Sequence, residues 1–181
     1  MTRSLKWVLI AASGLMAAYG VAYAWLGPPV KADHYVVIEG DTLELVAARC
    51  LQNILGLGCR PELLRLYGVD AFESAQTCRD AADKIWPCGA VATARLKQLV
   101  DTTDFSCHVD PEFVDRHARE FSFCTTNGRD VGALLVTEGL AFAYGRGDQY
   151  LPLEAEAKAA RRGAWAGHFV RPQYFRQGAT E

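Results

Sequence analysis

The sequence lacks the marks of a zinc protein and of a strongly basic nucleic-acid binder. Its six cysteines include no Cys-x-x-Cys pair, and its four histidines are scattered along the chain. No ligand spacing among them fits a zinc site. The formal net charge is −2 with a pI near 6.1, and there is no long basic tract to supply affinity for phosphates. Internal repeats and low-complexity segments are absent too, which argues against repeat and fibrous architectures.

The length of 181 residues predicts one domain behind a separate N-terminal segment. Arg3 and Lys6 precede an uncharged apolar run over residues 7–26, which is long enough to span a bilayer, and residues 22–24 (AYA) offer a small-residue cleavage site. The segment is therefore a cleaved signal peptide or a retained membrane anchor. Both interpretations place the body outside the cytoplasm, because the positive flank stays inside.

The expected organisation follows from that reading. Residues 1–26 form the leader or anchor, 27–33 a linker, 34–176 the folded domain and 177–181 a tail. The domain is expected to be periplasmic, secreted or anchored, to act as a monomer, and to touch a membrane only if the N-terminal segment is retained.

An even number of cysteines in an exported chain indicates disulfides. The sequence alone leaves the pairing open, and we expect neighbours in the chain to pair. The expected bonds are Cys50–Cys59, Cys78–Cys88 and Cys107–Cys124. The last pair lies in two strand-like runs that would bring the sulfurs together.

Strand-like runs come as two, one and two, with helices between and after them. An amphipathic helix is predicted over residues 89–100, and further helices over about 131–138 and 153–162. The stretch between Leu45 and Pro61 is longer than a hairpin needs and is interpreted as an insertion. The order suits an α+β, mainly β domain, a five-stranded Greek-key barrel of the OB type with about three helices.

Carboxylates and a guanidinium lie where two of these runs begin or end. Asp41 occupies a Gly-Asp-Thr turn, Arg65 lies within an apolar run, Asp70 ends that run, and Glu73 follows in the loop. If the strands carrying Asp41 and Asp70 are neighbours, two hard oxygen ligands, a third carboxylate and an arginine share one pocket. That combination suits metal-assisted attack of water on a phosphate ester. The simpler alternative is a common turn and a structural Arg65–Glu73 ion pair.

Four ordered segments resemble the thermonuclease family, the staphylococcal-nuclease-like proteins. They are residues 39–43 (EGDTL), 65–73 (RLYGVDAFE), 115–119 (DRHAR) and 139–144 (GLAFAY). Residues 160–165 (ARRGAW) match the closing helix of the family, and the resemblance covers about residues 34–175.

The resemblance implies a nuclease on an OB-type barrel that acts on DNA or RNA with one Ca²⁺ ion. Asp41, Asp70 and the Ala71 carbonyl would hold the metal. Glu73 would be the general base, and Arg65 and Arg119 would bind the phosphate and stabilise the transition state. Arg116, His117 and Tyr144 would contact the nucleotide. The alternative for Tyr144 is a buried structural tyrosine of a strand, with its hydroxyl hydrogen-bonded.

The chain departs from the family pattern near this site. Glu39 replaces an aspartate, and His117 with Ala118 replaces a Tyr-Gly pair. Phe72 replaces a proline that stiffens the loop before the glutamate, so we expect a looser loop. Arg146 lies where some members carry a second tyrosine. These changes leave the five catalytic and carboxylate positions intact and bear on substrate preference.

A second class of function remains open. The acidic pI and the altered segment 115–119 favour a non-catalytic OB-type module of the cell envelope that binds oligosaccharide or nucleic acid, for example in relation to exopolysaccharide.

Overall fold

The computed structural model describes residues 34–46, 62–115 and 117–180. The expected leader and linker, the Cys50–Cys59 bond and Arg116 lie outside the described residues and stay predictions. Within the described ranges, no helix has the length and apolar character needed to cross a membrane.

The described chain contains ten strands and four α-helices. The strands are β1 (His34–Glu39), β2 (Thr42–Val46), β3 (Glu62–Leu66), β4 (Val69–Ala71), β5 (Cys78–Arg79), β6 (Ile85–Trp86), β7 (Ser106–Val114), β8 (Glu120–Thr126), β9 (Arg129–Asp130) and β10 (Ala141–Ala143). The helices are α1 (Cys88–Val100), α2 (Val131–Thr137), α3 (Leu151–Ala159) and α4 (Pro172–Phe175), with 3-10 turns at Asp148–Tyr150 and Gly163–Ala166.

The main sheet has the order β1-β2-β3-β8-β7, with β9 added to β8. All of its pairs are antiparallel except β3 with β8, which is parallel. The predicted α+β, mainly β fold and the two-one-two order of its long strands are confirmed. The predicted closure of the sheet into a barrel is not seen in the described part of the chain. There β1 and β7 are the two edge strands of the sheet, and α1 packs against β1.

The main core lies between the sheet and the helices. Every second residue of β3 and β2 faces it, as at Leu64, Leu66 and Leu43, and α1 contributes Leu96. This follows from the period of two in a strand and the 3.6-residue turn of a helix. The helices near residues 89–100 and 131–138 are confirmed. The third begins two residues earlier than predicted and ends at Ala159, because the chain turns into positive φ at Arg161 (φ 50°).

A second, aromatic core anchors the loop after β4. The Phe72 ring is fully buried and meets Phe142 at 5.1 Å and Phe169 at 5.8 Å between ring centroids, edge to face. Trp165 packs on the same rings. The expectation that Phe72 loosens this loop is therefore wrong. Burial of its phenyl ring among other aromatic side chains anchors the loop, as the rigid ring of proline would otherwise do.

The four described cysteines form the two disulfides expected of them. Cys107 and Cys124 are direct cross-strand partners of β7 and β8 and are bonded to each other. Cys78 and Cys88 join β5 to the first residue of α1. Both bonds are buried and belong to the two cores.

Replacing Cys107 and Cys124 together by serine is expected to lower the free energy of unfolding by about 3 kcal/mol, because the bond closes a loop in the unfolded chain. Urea unfolding followed by circular dichroism measures this. Oxidised and reduced wild-type protein serve as controls. Equal stability of the oxidised wild type and the double variant would contradict the prediction.

Candidate active site

Arg65 brings the two predicted metal-binding aspartates together. It lies on β3 opposite Thr42, so its side chain emerges beside the β1–β2 turn that carries Asp41. Its guanidinium donates to Asp41 Oδ1 at 3.2 Å and to Asp70 Oδ1 at 2.7 Å. All three side chains are buried. A guanidinium fork between two carboxylates fixes both of them in direction as well as distance.

The turn at Gly40 fits against β4 only because it has no side chain. A Cβ on Gly40 would lie 2.8 Å from the Cβ of Ala71. This close approach lets the Ala71 N–H donate to Asp41 Oδ2 at 3.0 Å. Ala71, predicted to offer its carbonyl to a metal, therefore lies next to both aspartates.

Arg119 is held at the same site by Asp115. Its Nε donates to Asp115 Oδ2 at 2.8 Å, and its Nη1 donates to Thr42 Oγ1 at 3.1 Å. The Thr42 hydroxyl donates in turn to Asp41 at 2.9 Å. Burial raises the pKa of Asp115, but hydrogen bonds from the Arg119 side chain and from the backbone N–H groups of Arg119 and His117 bring it below its usual value. Asp115 was part of the sequence motif, yet its role in orienting Arg119 was not predicted.

Gln76 fixes the loop that carries Glu73. Its side-chain oxygen accepts from the Glu73 N–H at 3.3 Å, and its Nε2 donates to the Val170 carbonyl at 2.6 Å. The start of α1 closes over this loop, since a Cβ on Gly89 would lie 1.7 Å from the Glu73 carbonyl oxygen. Only glycine permits that contact. No motif in the sequence marks Gln76.

Arg176 is the cation that sequence reasoning missed. Directly after α4, it donates through Nη1 and Nη2 to the two oxygens of Asp70, at 3.0 and 3.2 Å. The same Nη1 contacts Glu73 Oε1 at 2.5 Å. Burial lowers the pKa of Arg176, but the bonds to Asp70 and Glu73 outweigh this and raise it, so the guanidinium stays charged. The residue lies about a hundred positions from its partners, and nothing in its surrounding sequence indicated the contact.

These groups open onto one cavity of about 840 Å³. Of the predicted residues, its lining includes Arg65, Glu73, His117, Arg119 and Tyr144. Asp41 and Asp70 lie behind the lining, next to Arg65.

Aromatic side chains form another part of the cavity wall. Tyr67, Phe113, Phe121 and Tyr144 line it. Tyr144 is 45% exposed, which removes the alternative of a buried structural tyrosine. The Arg146 guanidinium lies 4.5 Å from the centre of the Phe113 ring, a cation–π pair at the same cavity.

Carboxylates outnumber the cations that contact them. Asp41, Asp70, Glu73 and Asp115 are paired with Arg65, Arg119 and Arg176. Glu39 adds a fifth carboxylate to the cavity. Burial, followed by the charges of Glu73 and Asp41, raises its pKa. In the described ranges no three His, Cys, Asp or Glu side chains converge closely enough to enclose a metal by themselves.

Comparison with protein families gives one match. The family model "Staphylococcal nuclease homologue" matches residues 63–167, more than half of the chain. The match contains Arg65, Asp70, Glu73 and Arg119. Asp41 precedes it and Arg176 follows it. Comparison with curated proteins finds no significant match. The chain therefore belongs to the family of staphylococcal nuclease homologues.

Proposed function

We propose that this family member is an exported, calcium-dependent nuclease that hydrolyses phosphodiester bonds of DNA, RNA or both. The observation that carries the proposal is the clustering of Asp41, Asp70, Glu73, Arg65 and Arg119: the last three line one cavity, and the two aspartates lie directly behind Arg65. The first two supply hard oxygen ligands, the third a base, and the arginines two anion-binding forks. A structural ion pair alone would not account for two arginines and a glutamate lining the same open cavity.

The donor set fits a calcium ion. Asp41 and Asp70 are oxygen donors joined by one guanidinium, and the adjoining Ala71 adds a backbone carbonyl, which Ca²⁺ accepts readily. Fewer than three side-chain carboxylates at the ion leave room for water and phosphate oxygens. When bound, such an ion stabilises charge on the phosphoryl group and acidifies a water molecule.

The protein groups divide the remaining work. Arg65 and Arg119 bind the phosphate and stabilise the negative charge of the transition state, a role that suits a planar fork with fixed donors. Glu73 takes the proton of the attacking water, and its loop is held by Gln76. Tyr144 and His117, both at the cavity, contact sugar or base. Arg116 is proposed to join them.

Export is supported by the two disulfides. Such bonds persist in oxidising surroundings outside the cytoplasm. The apolar run over residues 7–26, as signal or anchor, would bring the domain there.

A non-catalytic binding module is the second candidate. The net charge of −2 favours it, because a nonspecific nuclease gains most of its affinity from basic side chains. Against it stands the presence of the full set of proposed catalytic residues around one cavity. The following experiment separates the two candidates.

Hydrolysis of single-stranded DNA, double-stranded DNA and RNA is expected with calcium and is expected to stop on addition of chelator. Glu73→Gln is expected to lower kcat by about 10²–10⁴-fold, since it removes the base. Arg119→Ala is expected to lower it by about 10²–10³-fold, since it removes a donor to the transition state. Initial rates on labelled substrates measure both effects.

Matched controls are the exposed Glu156→Gln and Arg129→Ala, which lie away from the cavity lining and should cleave at the wild-type rate. Folding of each variant is checked by its thermal transition. If folded wild-type protein cleaves none of the substrates at low salt with calcium, the nuclease proposal fails and envelope glycans become the ligands to test.

Asp115→Asn is expected to lower kcat/KM by about 10²-fold while Arg119 itself remains. The amide group cannot accept from both Arg119 nitrogens and the two backbone N–H groups, so the guanidinium loses its orientation. Steady-state kinetics measure the loss, with exposed Asp101→Asn as control. Unchanged kinetics would show that Arg119 needs no orienting partner.

A further inference from the structure

Arg176 occupies the acidic centre of the proposed site. Its guanidinium contacts both oxygens of Asp70 and one of Glu73. Asp70 is 1% exposed, and its other contact is with Arg65 at 2.7 Å. Every oxygen of this carboxylate therefore already has a cationic partner within the protein.

The segment carrying Arg176 is anchored to the rest of the domain, so its position is not that of a free tail. The Val170 carbonyl accepts from the buried Gln76. The Arg171 side chain forms a salt bridge with Glu154 and lies 4.8 Å from the centre of the Phe142 ring. Arg176 N donates to the Pro172 carbonyl at 3.0 Å. These contacts hold the chain on the domain just before α4, and the Arg176 side chain remains 32% exposed.

A divalent ion on Asp70 requires at least one oxygen that Arg176 now holds. Asp70 already pairs with the guanidiniums of Arg65 and Arg176, so a divalent ion would be a third cation on one buried carboxylate, and the repulsion among the three is strong in a medium of low dielectric constant. The favourable free energy of calcium binding is reduced by the free energy needed to break the charge-assisted hydrogen bonds between Arg176 and Asp70. Ion binding and the Arg176 contact to Asp70 therefore exclude each other.

We propose that Arg176 is an exchangeable internal counter-ion of Asp70 and Glu73 that competes with calcium and must leave Asp70 when calcium binds. This inference rests on the proposed function and adds a competitor for its cation. Arg176 lies C-terminal to residues 63–167, the part matched by the family model. The proposed counter-ion therefore lies in the part of the chain that follows the matched residues.

Replacement of Arg176 by calcium at Asp70 also affects Glu73, the proposed base. Glu73 Oε1 accepts from Arg176 Nη1, so one of the two oxygens of the proposed base is engaged by the guanidinium. Displacement of the guanidinium from Asp70 removes the shared anchor and frees Glu73 to accept a proton from water.

Calcium titration by isothermal calorimetry tests the proposal without measuring cleavage. Arg176→Gln removes the positive charge and is expected to bind calcium about tenfold more tightly than wild type, the affinity equivalent of one charge-assisted hydrogen bond. Arg176→Lys keeps the charge but not the bidentate fork, and an intermediate affinity is expected. Exposed Arg129→Gln makes the same change of net charge away from the site and should match wild type.

The outcomes separate this proposal from the proposed function. If wild type binds calcium and Arg176→Gln binds it equally or more weakly, the exchange is overturned and the nuclease proposal stands. If neither protein binds calcium, the calcium dependence fails and the exchange fails with it. A gain of the same size in Arg129→Gln would assign the effect to net charge and overturn the exchange. Should Arg176→Gln fail to fold, Arg176→Lys decides: affinity no greater than that of wild type overturns the proposal.

Discussion

The buried guanidinium of Arg65 between Asp41 and Asp70 is the interaction on which the site depends. The buried carboxylates of Asp41 and Asp70 repel each other and lose their hydration. The Arg65 guanidinium, with contacts of 2.7–3.2 Å to both, offsets the repulsion and the loss of hydration. Removing one partner of such a buried cluster typically costs about 3–5 kcal/mol. The same cluster joins the β1–β2 turn to β3 and β4, so fold and chemistry share it.

From this cluster a continuous set of polar contacts crosses the site. Asp41 connects through the Thr42 hydroxyl to Arg119 and Asp115. On the other side, Asp70 connects through Arg176 to Glu73. Asp41, Asp70, Glu73, Arg65 and Arg119 therefore each have their direction set by a neighbouring side chain, which is the preorganisation that stabilisation of a charged transition state requires. Four arginines, Arg65, Arg119, Arg146 and Arg176, line the cavity together with the carboxylates of Glu39, Glu73 and Asp115.

The sequence predicted what is local or carried by a motif. Arg65, Asp70 and Glu73 lie within nine positions, but the single run expected to end at Asp70 is divided by a turn at residues 67–68 into β3 and β4, which belong to different sheets. That turn, and not the strand period, brings Asp70 to Arg65. The helices at 88–100 and 131–137 follow from apolar spacing. Arg176 and Gln76 could not be predicted, because each acts through a tertiary contact with no local pattern. For Phe72 the prediction was wrong. It considered only the loss of proline's backbone stiffness, whereas packing of the Phe72 ring against Phe142 and Phe169 holds the loop.

The disulfide between Cys78 and Cys88 joins the end of the loop that carries Glu73 to the start of α1. Gln76 lies two positions before its first sulfur, and Gly89, which presses on the Glu73 carbonyl, follows its second. A chain in which these sulfurs are still thiols keeps that loop in place through hydrogen bonds and packing alone. Oxidation of this cysteine pair therefore adds a covalent link between the two segments that contact the Glu73 backbone.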